Sequence, residues 1–209
     1  VTDVPAVGFD LDMTLIDSRP GIREAYLALT AETGVFVDAD LAVSRLGPPL
    51  RTELRYWFPE EQVEEAVTAY RALYEELAIT PSLPTPGAVE TLEAVRAAGL
   101  RIVVVTSKLG RLARLHLDHL GMHPDELAGD LFAEGKATAL VEHGVRWYVG
   151  DHVADMVAAR TAGVPGIGVA TGPCSEAELR DAGAAHILPD LTVFPTLLSE
   201  IAVGPRAIR

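Results

Sequence analysis

The chain has 209 residues, of which 49% are hydrophobic and 22% charged, a composition that excludes disordered, collagen-like and low-complexity classes and suits one dominant core with room for a smaller inserted module. Thirty acidic against 17 basic residues give a formal net charge of −13, which repels nucleic acid and anionic membranes, so a phosphorylated substrate needs a local cation or a metal ion. One cysteine, Cys174, can form neither an internal disulfide nor a Cys-based zinc site; no apolar run reaches membrane length and no secretory leader is read, so a soluble protein of the reducing cytoplasm is expected.

In chain order, residues 4–9 form a short apolar run closed by acidic residues and read as the first strand. From there to Pro81 the pattern turns helical: 22–33, 37–46 and 63–77 carry apolar residues at helical spacing, with no convincing strand among them. The acidic run 59–65 reads as a solvated helix start, and Tyr56, Trp57 and Phe58 as packing residues. Residues 80–86 hold three prolines and read as a linker. A helix over 87–98 follows, ended by Gly99. The β-branched run 100–105 reads as a strand buried on both faces, with similar runs at 147–149 and 166–169. Helical patterns at 111–119, 153–162 and 175–182 follow these strands, the last opened by a capping box of Ser175 and Glu178. This alternation predicts an α/β fold, a doubly wound parallel sheet formed by 1–16 and 84–203, with an all-helical insert at 17–83 and a tail at 204–209. Ligands of such sheets sit beyond the carboxyl ends of the strands.

Chemistry is therefore sought at strand ends. The first strand ends in Phe9-Asp10-Leu11-Asp12-Met13-Thr14, where alternation brings the Asp10 and Asp12 carboxylates to one side. Like charges that close call for a cation or a shared proton. A second pair, Asp151 and Asp155, follows the strand at 147–149, one helical turn apart. Two strand ends with oxygen ligands suit a hard cation such as Mg²⁺, although a strand-end Asp also caps turns and helices, and Asp151 has an N-cap reading. The only lysines among the 17 basic residues are Lys108 and Lys136; a compact ammonium offers a phosphoryl oxygen a point charge that arginine does not. His116 and His119 lack a third ligand and read as surface or helix-end residues. His152 could tune a metal site from behind its ligands, and Cys174 reads as structural. Arg45 and Arg51 flank the stiff turn Leu46-Gly47-Pro48-Pro49-Leu50 and read as solvated helix-end cations or, if that turn reaches over a site, as partners of a second anionic group on a substrate.

Taken together, these pieces resemble the haloacid dehalogenase superfamily. FDLDMTLIDS is similar to its DxDxT motif, Val103-Val104-Val105-Thr106-Ser107 to its strand-terminal Thr/Ser motif, Lys136 to its lysine and GDHVAD to its GDxxxD segment. The pieces stand in family order, and the helical insert falls where the phosphoglycolate phosphatase-like branch carries its cap. The resemblance implies a Mg²⁺-dependent hydrolase of small phosphate monoesters, possible substrates being phosphoglycolate-like. Asp10 would be the nucleophile, Asp12 the acid and base, and Thr106, Ser107 and Lys136 the phosphoryl ligands. The metal would be held by Asp10, the Asp12 backbone carbonyl, Asp151 and Asp155, the last directly or through water. An acid at Asp12 favours phosphate over haloalkanoate chemistry. The chain departs from the family pattern at Met13, where Gly is usual, at Ala137, where Pro is common, and in the short interval from Lys136 to Asp151; Lys108 is the alternative active-site lysine. The rival readings are a phosphotransferase such as a sugar phosphomutase, a phospho-accepting regulatory domain and a catalytically idle binding protein.

Overall fold

A computed structural model describes residues 4–202; the tail expected at 204–209 lies outside them. The chain enters through β1 (Ala6–Phe9) and the short β2 (Ile16–Asp17), then builds four helices, α1 (Arg19–Thr33), α2 (Ala39–Ser44), α3 (Leu50–Leu54) and α4 (Val63–Leu77). It returns through β3 (Leu83–Pro84), antiparallel to β2. Helix and strand then alternate as α5 (Ala88–Ala97), β4 (Arg101–Val105), α6 (Gly110–His119), β5 (Glu126–Ala128), α7 (Glu134–Glu142) and β6 (Val145–Gly150). The remaining elements are α8 (Val153–Ala162), β7 (Gly166–Val169), α9 (Glu176–Asp181), β8 (Ala184–Leu188) and α10 (Phe194–Ala202).

The main sheet is parallel throughout, in the order β5-β4-β1-β6-β7-β8. Side-chain alternation decides which helix covers which face. Val7, Phe9, Ile102 and Val104 pack with Leu92 and Val95 of α5, Leu117 of α6 and Phe194 of α10. Ala6, Val103 and Val105 point the other way, onto Ala137 and Leu140 of α7 and Ala158 and Ala159 of α8. Both faces are covered, which is why the strands read as continuous apolar runs. The strand order reverses at β1, between β4 and β6, and a ligand crevice opens at such a switch point.

A separate apolar cluster joins Ile22, Tyr26 and Leu29 of α1 to Leu54 of α3, Val63, Tyr70 and Tyr74 of α4 and Leu112 of α6. The insert thus has its own core, to which the sheet-bearing part adds Leu112 and, packed against it, Leu109 and Leu115. Several expectations need correction. The 80–86 segment is not only a linker, because Leu83 and Pro84 pair with Asp17 and Ile16 and close the insert with a two-stranded ribbon. The helix expected over 37–46 is shorter, and α3, β5, β8 and α10 went unread. The acidic run 59–65 opens as one 3₁₀ turn, Glu60–Gln62, before α4.

Candidate active site

Parallel pairing of Phe9 with Val104 and Val149 places Asp10, the next residue, beside the ends of β4 and β6. Its backbone N–H donates to the Val149 carbonyl at 2.8 Å, which continues the ladder one residue further. Beyond it the chain turns sharply, with Met13 at φ 60 and its N–H donating to the Ile16 carbonyl at 2.7 Å. A left-handed residue there is sterically natural for glycine; the methionine is nonetheless buried, at 3% exposure. The turn leaves the carboxylates of both Asp10 and Asp12 on the wall of one cavity of about 280 Å³ between sheet and insert.

Both lysines reach this cavity, each beside a different carboxylate. Lys136, in the first turn of α7, places its ammonium 2.8 Å from Asp10 Oδ1 and 2.7 Å from Asp155 Oδ1. Lys108, beyond β4, lies 2.9 Å from Asp12 Oδ1 and donates to the Tyr74 hydroxyl at 2.6 Å. The second acid pair stands opposite. Asp151 follows β6 and accepts from the Thr14 hydroxyl at 2.9 Å. The N-cap of α8 is His152 rather than Asp151: its ring accepts from the Ala154 N–H, and Asp155 Oδ2 answers the His152 N–H at 3.2 Å. Asp155 Oδ1 also faces the Tyr148 hydroxyl at 3.2 Å. A Cβ on Gly172 would come within 1.8 Å of Asp151 Oδ2, so the loop after β7 can press against that carboxylate only as glycine.

Asp10, Asp151 and Asp155 are all buried and each offers an oxygen within 4.8 Å of the others. Burial pushes Asp10 up to about 7, against the pull of Lys136 and with the push of Asp155. Burial, then repulsion from Asp10 and Asp155, drives Asp151 well above the usual carboxylate range. One ammonium does not neutralise three carboxylates, and a divalent cation is the natural complement. The donors are all oxygen, as a hard cation requires. Asp12 behaves differently: burial raises it, but the Lys108 charge and the Ser18 hydroxyl outweigh burial and hold it below the ordinary value.

Thr106 is buried at the end of β4, its hydroxyl accepting the Lys108 N–H at 3.1 Å, and Ser107 lines the cavity. The Ser107 hydroxyl reaches toward the Gly47 carbonyl of the insert at 3.5 Å. Arg45 and Arg51 line the cavity too, yet each is engaged: Arg45 with Glu53 at 2.5 Å and Arg51 with Glu64 at 2.7 Å. Arg45 also stacks over the Tyr56 and Trp57 rings, and Phe58 joins the insert core.

His116 corrects the surface reading. It is fully buried, and its Nε2 lies 2.8 Å from the Tyr74 hydroxyl, while its Nδ1 has no partner among the described residues. Burial, with the Lys108 charge beside it, pushes its pKa down to about 3, so the ring is neutral. His119 is exposed at the end of α6, as expected. Tyr74 and His116 went unrecognised as part of the site because each occupies an apolar position of its own helix. Only the meeting of α4 with α6 makes them a polar pair.

Comparison with known proteins matches this geometry to a family. The haloacid dehalogenase-like hydrolase model matches residues 7–160. Over 93% of this chain and 95% of its own length, a 5'-nucleotidase of Pseudomonas aeruginosa is 33% identical. A phosphoglycolate phosphatase of Xylella fastidiosa is 34% identical over 75% of this chain and 76% of its own. Among solved structures, a predicted phosphatase from Clostridium acetobutylicum superposes with a TM-score of 0.82 at 26% identity, covering 95% of this chain and 100% of that one. The chain belongs to the haloacid dehalogenase-like hydrolase family and is an enzyme of its phosphatase class.

Proposed function

We propose that the protein is a Mg²⁺-dependent hydrolase of small phosphate monoesters, phosphoglycolate-like esters among them, that works through an aspartyl-phosphate on Asp10. The observation that carries this reading is the buried cluster in which Lys136 bridges Asp10 and Asp155 while Asp151 stands within reach of both. Asp10 attacks phosphorus, forming an Oδ–P bond as the ester P–O bond breaks. The Asp12 carboxyl gives its proton to the leaving oxygen, then takes one from the water that hydrolyses the acyl phosphate. Lys108 keeps Asp12 ionised in the free enzyme; an arriving phosphoryl anion opposes that field and raises its proton affinity, which suits both duties. Lys136 offsets charge between nucleophile and phosphoryl oxygens, and Thr106, through its hydroxyl, and Ser107, through its backbone, bind the phosphoryl oxygens at the end of β4.

Asp10 and Asp151, with Asp155 directly or through water and the Asp12 backbone carbonyl, are the residues that would hold Mg²⁺. When bound, the ion supplies charge neutralisation for the phosphoryl group. The helical insert, residues 17–83, acts as the cap that closes the cavity, and the single Cys174 suits a reducing cytoplasm. No helix among the described residues is long and apolar enough to cross a membrane.

Steady release of phosphate from p-nitrophenyl phosphate tests the reading. It is expected with Mg²⁺, to stop with EDTA, and to be absent from Asp10→Asn, whose amide is no nucleophile. A single stoichiometric burst would indicate a phospho-accepting protein, and activity in freshly purified Asp10→Asn, with deamidation excluded by mass spectrometry, would sink the nucleophile assignment.

A further inference from the structure

The insert contains six arginines, at 19, 23, 45, 51, 55 and 71. Five are committed to carboxylates of the insert itself: Arg19 to Asp17, Arg23 to Asp40, Arg45 to Glu53, Arg51 to Glu64 and Arg55 to Glu60. Arg71 has neither an ion-pair nor a hydrogen-bond partner among the described residues. The contrast is sharper inside the cavity. Of the Lys and Arg side chains on its wall, Arg45, Arg51, Lys108 and Lys136 are each spent on an acid, and Arg71 is the one left over.

Its position is set by the helix. Val67, Tyr70, Arg71 and Tyr74 stand at i, i+3, i+4 and i+7 of α4, one stripe, and all four line the cavity. Tyr74, a turn further along, touches Lys108, which touches Asp12. Arg71 therefore lies about one helical turn from Tyr74, the partner of the lysine that contacts the acid–base carboxylate, on the insert side of the cavity. Ile22, Leu46 and Leu50 also line that side, and its other two arginines, Arg45 and Arg51, are already paired with Glu53 and Glu64. Half-buried and unpaired, the guanidinium keeps its planar set of donors free for an incoming oxyanion.

We propose that Arg71, rather than Arg45 or Arg51, is a specificity-determining residue that binds a second anionic group, a carboxylate or a second phosphate, at the end of the substrate remote from the scissile phosphoryl group; this rests on the phosphatase reading above. The preferred substrate is then a phosphate monoester with an anionic tip. Its chain length is fixed by the span from Asp10 to Arg71.

The test compares wild type, Arg71→Gln and Arg71→Lys, all with Mg²⁺, on length-matched alkyl phosphates ending in methyl, carboxylate or phosphate, phosphoglycolate being the shortest carboxylate. Wild type is expected to favour at least one anion-tipped ester over its methyl-tipped match by about tenfold or more in kcat/KM, chiefly through KM. Arg71→Gln should lose that ratio, and Arg71→Lys should recover part of it, since the charge remains and the fork does not. Whether the carboxylate or the phosphate tip is preferred identifies the anion. Indifference of the wild type to the tip overturns the proposal. So does a ratio that survives in Arg71→Gln, or one lost in Arg51→Gln instead. A wild type that releases phosphate from no ester at all, p-nitrophenyl phosphate included, overturns the phosphatase reading and this proposal with it.

Discussion

The two oxygens of Asp155 are both occupied, one by Lys136 and Tyr148 and the other by the His152 N–H. Asp151 uses one oxygen for Thr14 and presents the other to the glycine loop. Asp151→Ala should therefore weaken Mg²⁺ binding more than Asp155→Ala, whereas Asp155→Ala should lower kcat by freeing Lys136; titrating activity with Mg²⁺ separates the two, and the reverse order would exchange their roles. Met13 poses a contest of magnitudes. Relief of its left-handed backbone by Met13→Gly is worth roughly 1–2 kcal/mol, but deleting a buried methionine side chain costs roughly 2–5 kcal/mol. Net destabilisation in urea is the expected outcome, and a more stable variant would show that strain dominates. Asp10, Asp12, Asp151 and Asp155 were legible because strand ends gather acids in short, ordered motifs. Arg71 was not, since nothing in the sequence says which of six arginines will find no acid beside it.

At the scale of elements, the long periodic helices and the buried strands could be read, and the unread ones share a physical reason. The edge strands β5 and β8, at three and five residues, carry little β-branched signal. The five residues of α3 are too few to show a period. What joins insert to sheet is long-range and likewise absent from local pattern. The Tyr74 hydroxyl ties α4 to His116 of α6 and to Lys108. Tyr74→Phe would leave the buried His116 ring with neither nitrogen paired, a loss of about 1–3 kcal/mol. Chemical denaturation should show it, together with reduced turnover as Lys108 loosens from Asp12. The second tie is the turn between α2 and α3, where Gly47 has φ 129 and an added Cβ would lie 2.7 Å from the His152 ring. Gly47→Ala should push this turn off the cavity mouth and reduce kcat/KM by about tenfold or more, with a small change in melting temperature. Unchanged kinetics would mean that the turn does not seat against the site during catalysis.

For the whole molecule, acids dominate twice, in the net charge of −13 and again in the buried cluster. Without metal, Asp10 is raised to about 7 and Asp151 lies well above its ordinary value, both chiefly by burial. A carboxyl whose folded value is raised binds more protons folded than unfolded. Its contribution to stability is complete below the unfolded value, near 4, and is lost as pH climbs through the folded value. His116 has the opposite sign: its folded value of about 3 lies below the unfolded one, so its contribution is present above about 6.5 and fades as pH falls toward 3. The two trends oppose each other in metal-free protein across the weakly acidic range, but only the carboxyl trend concerns residues that would hold Mg²⁺. Near pH 5.5 the cation must displace protons from the cluster; near pH 8 it meets carboxylates that repel one another. The rise in melting temperature on adding saturating Mg²⁺ should accordingly be larger at pH 8 than at pH 5.5, and the difference should shrink in Asp151→Asn, which removes one titrating group without emptying its space. His116→Gln should leave that Mg²⁺ increment alone while flattening the metal-free loss of stability toward low pH. A Mg²⁺ increment independent of pH would mean that the cation binds away from Asp10 and Asp151.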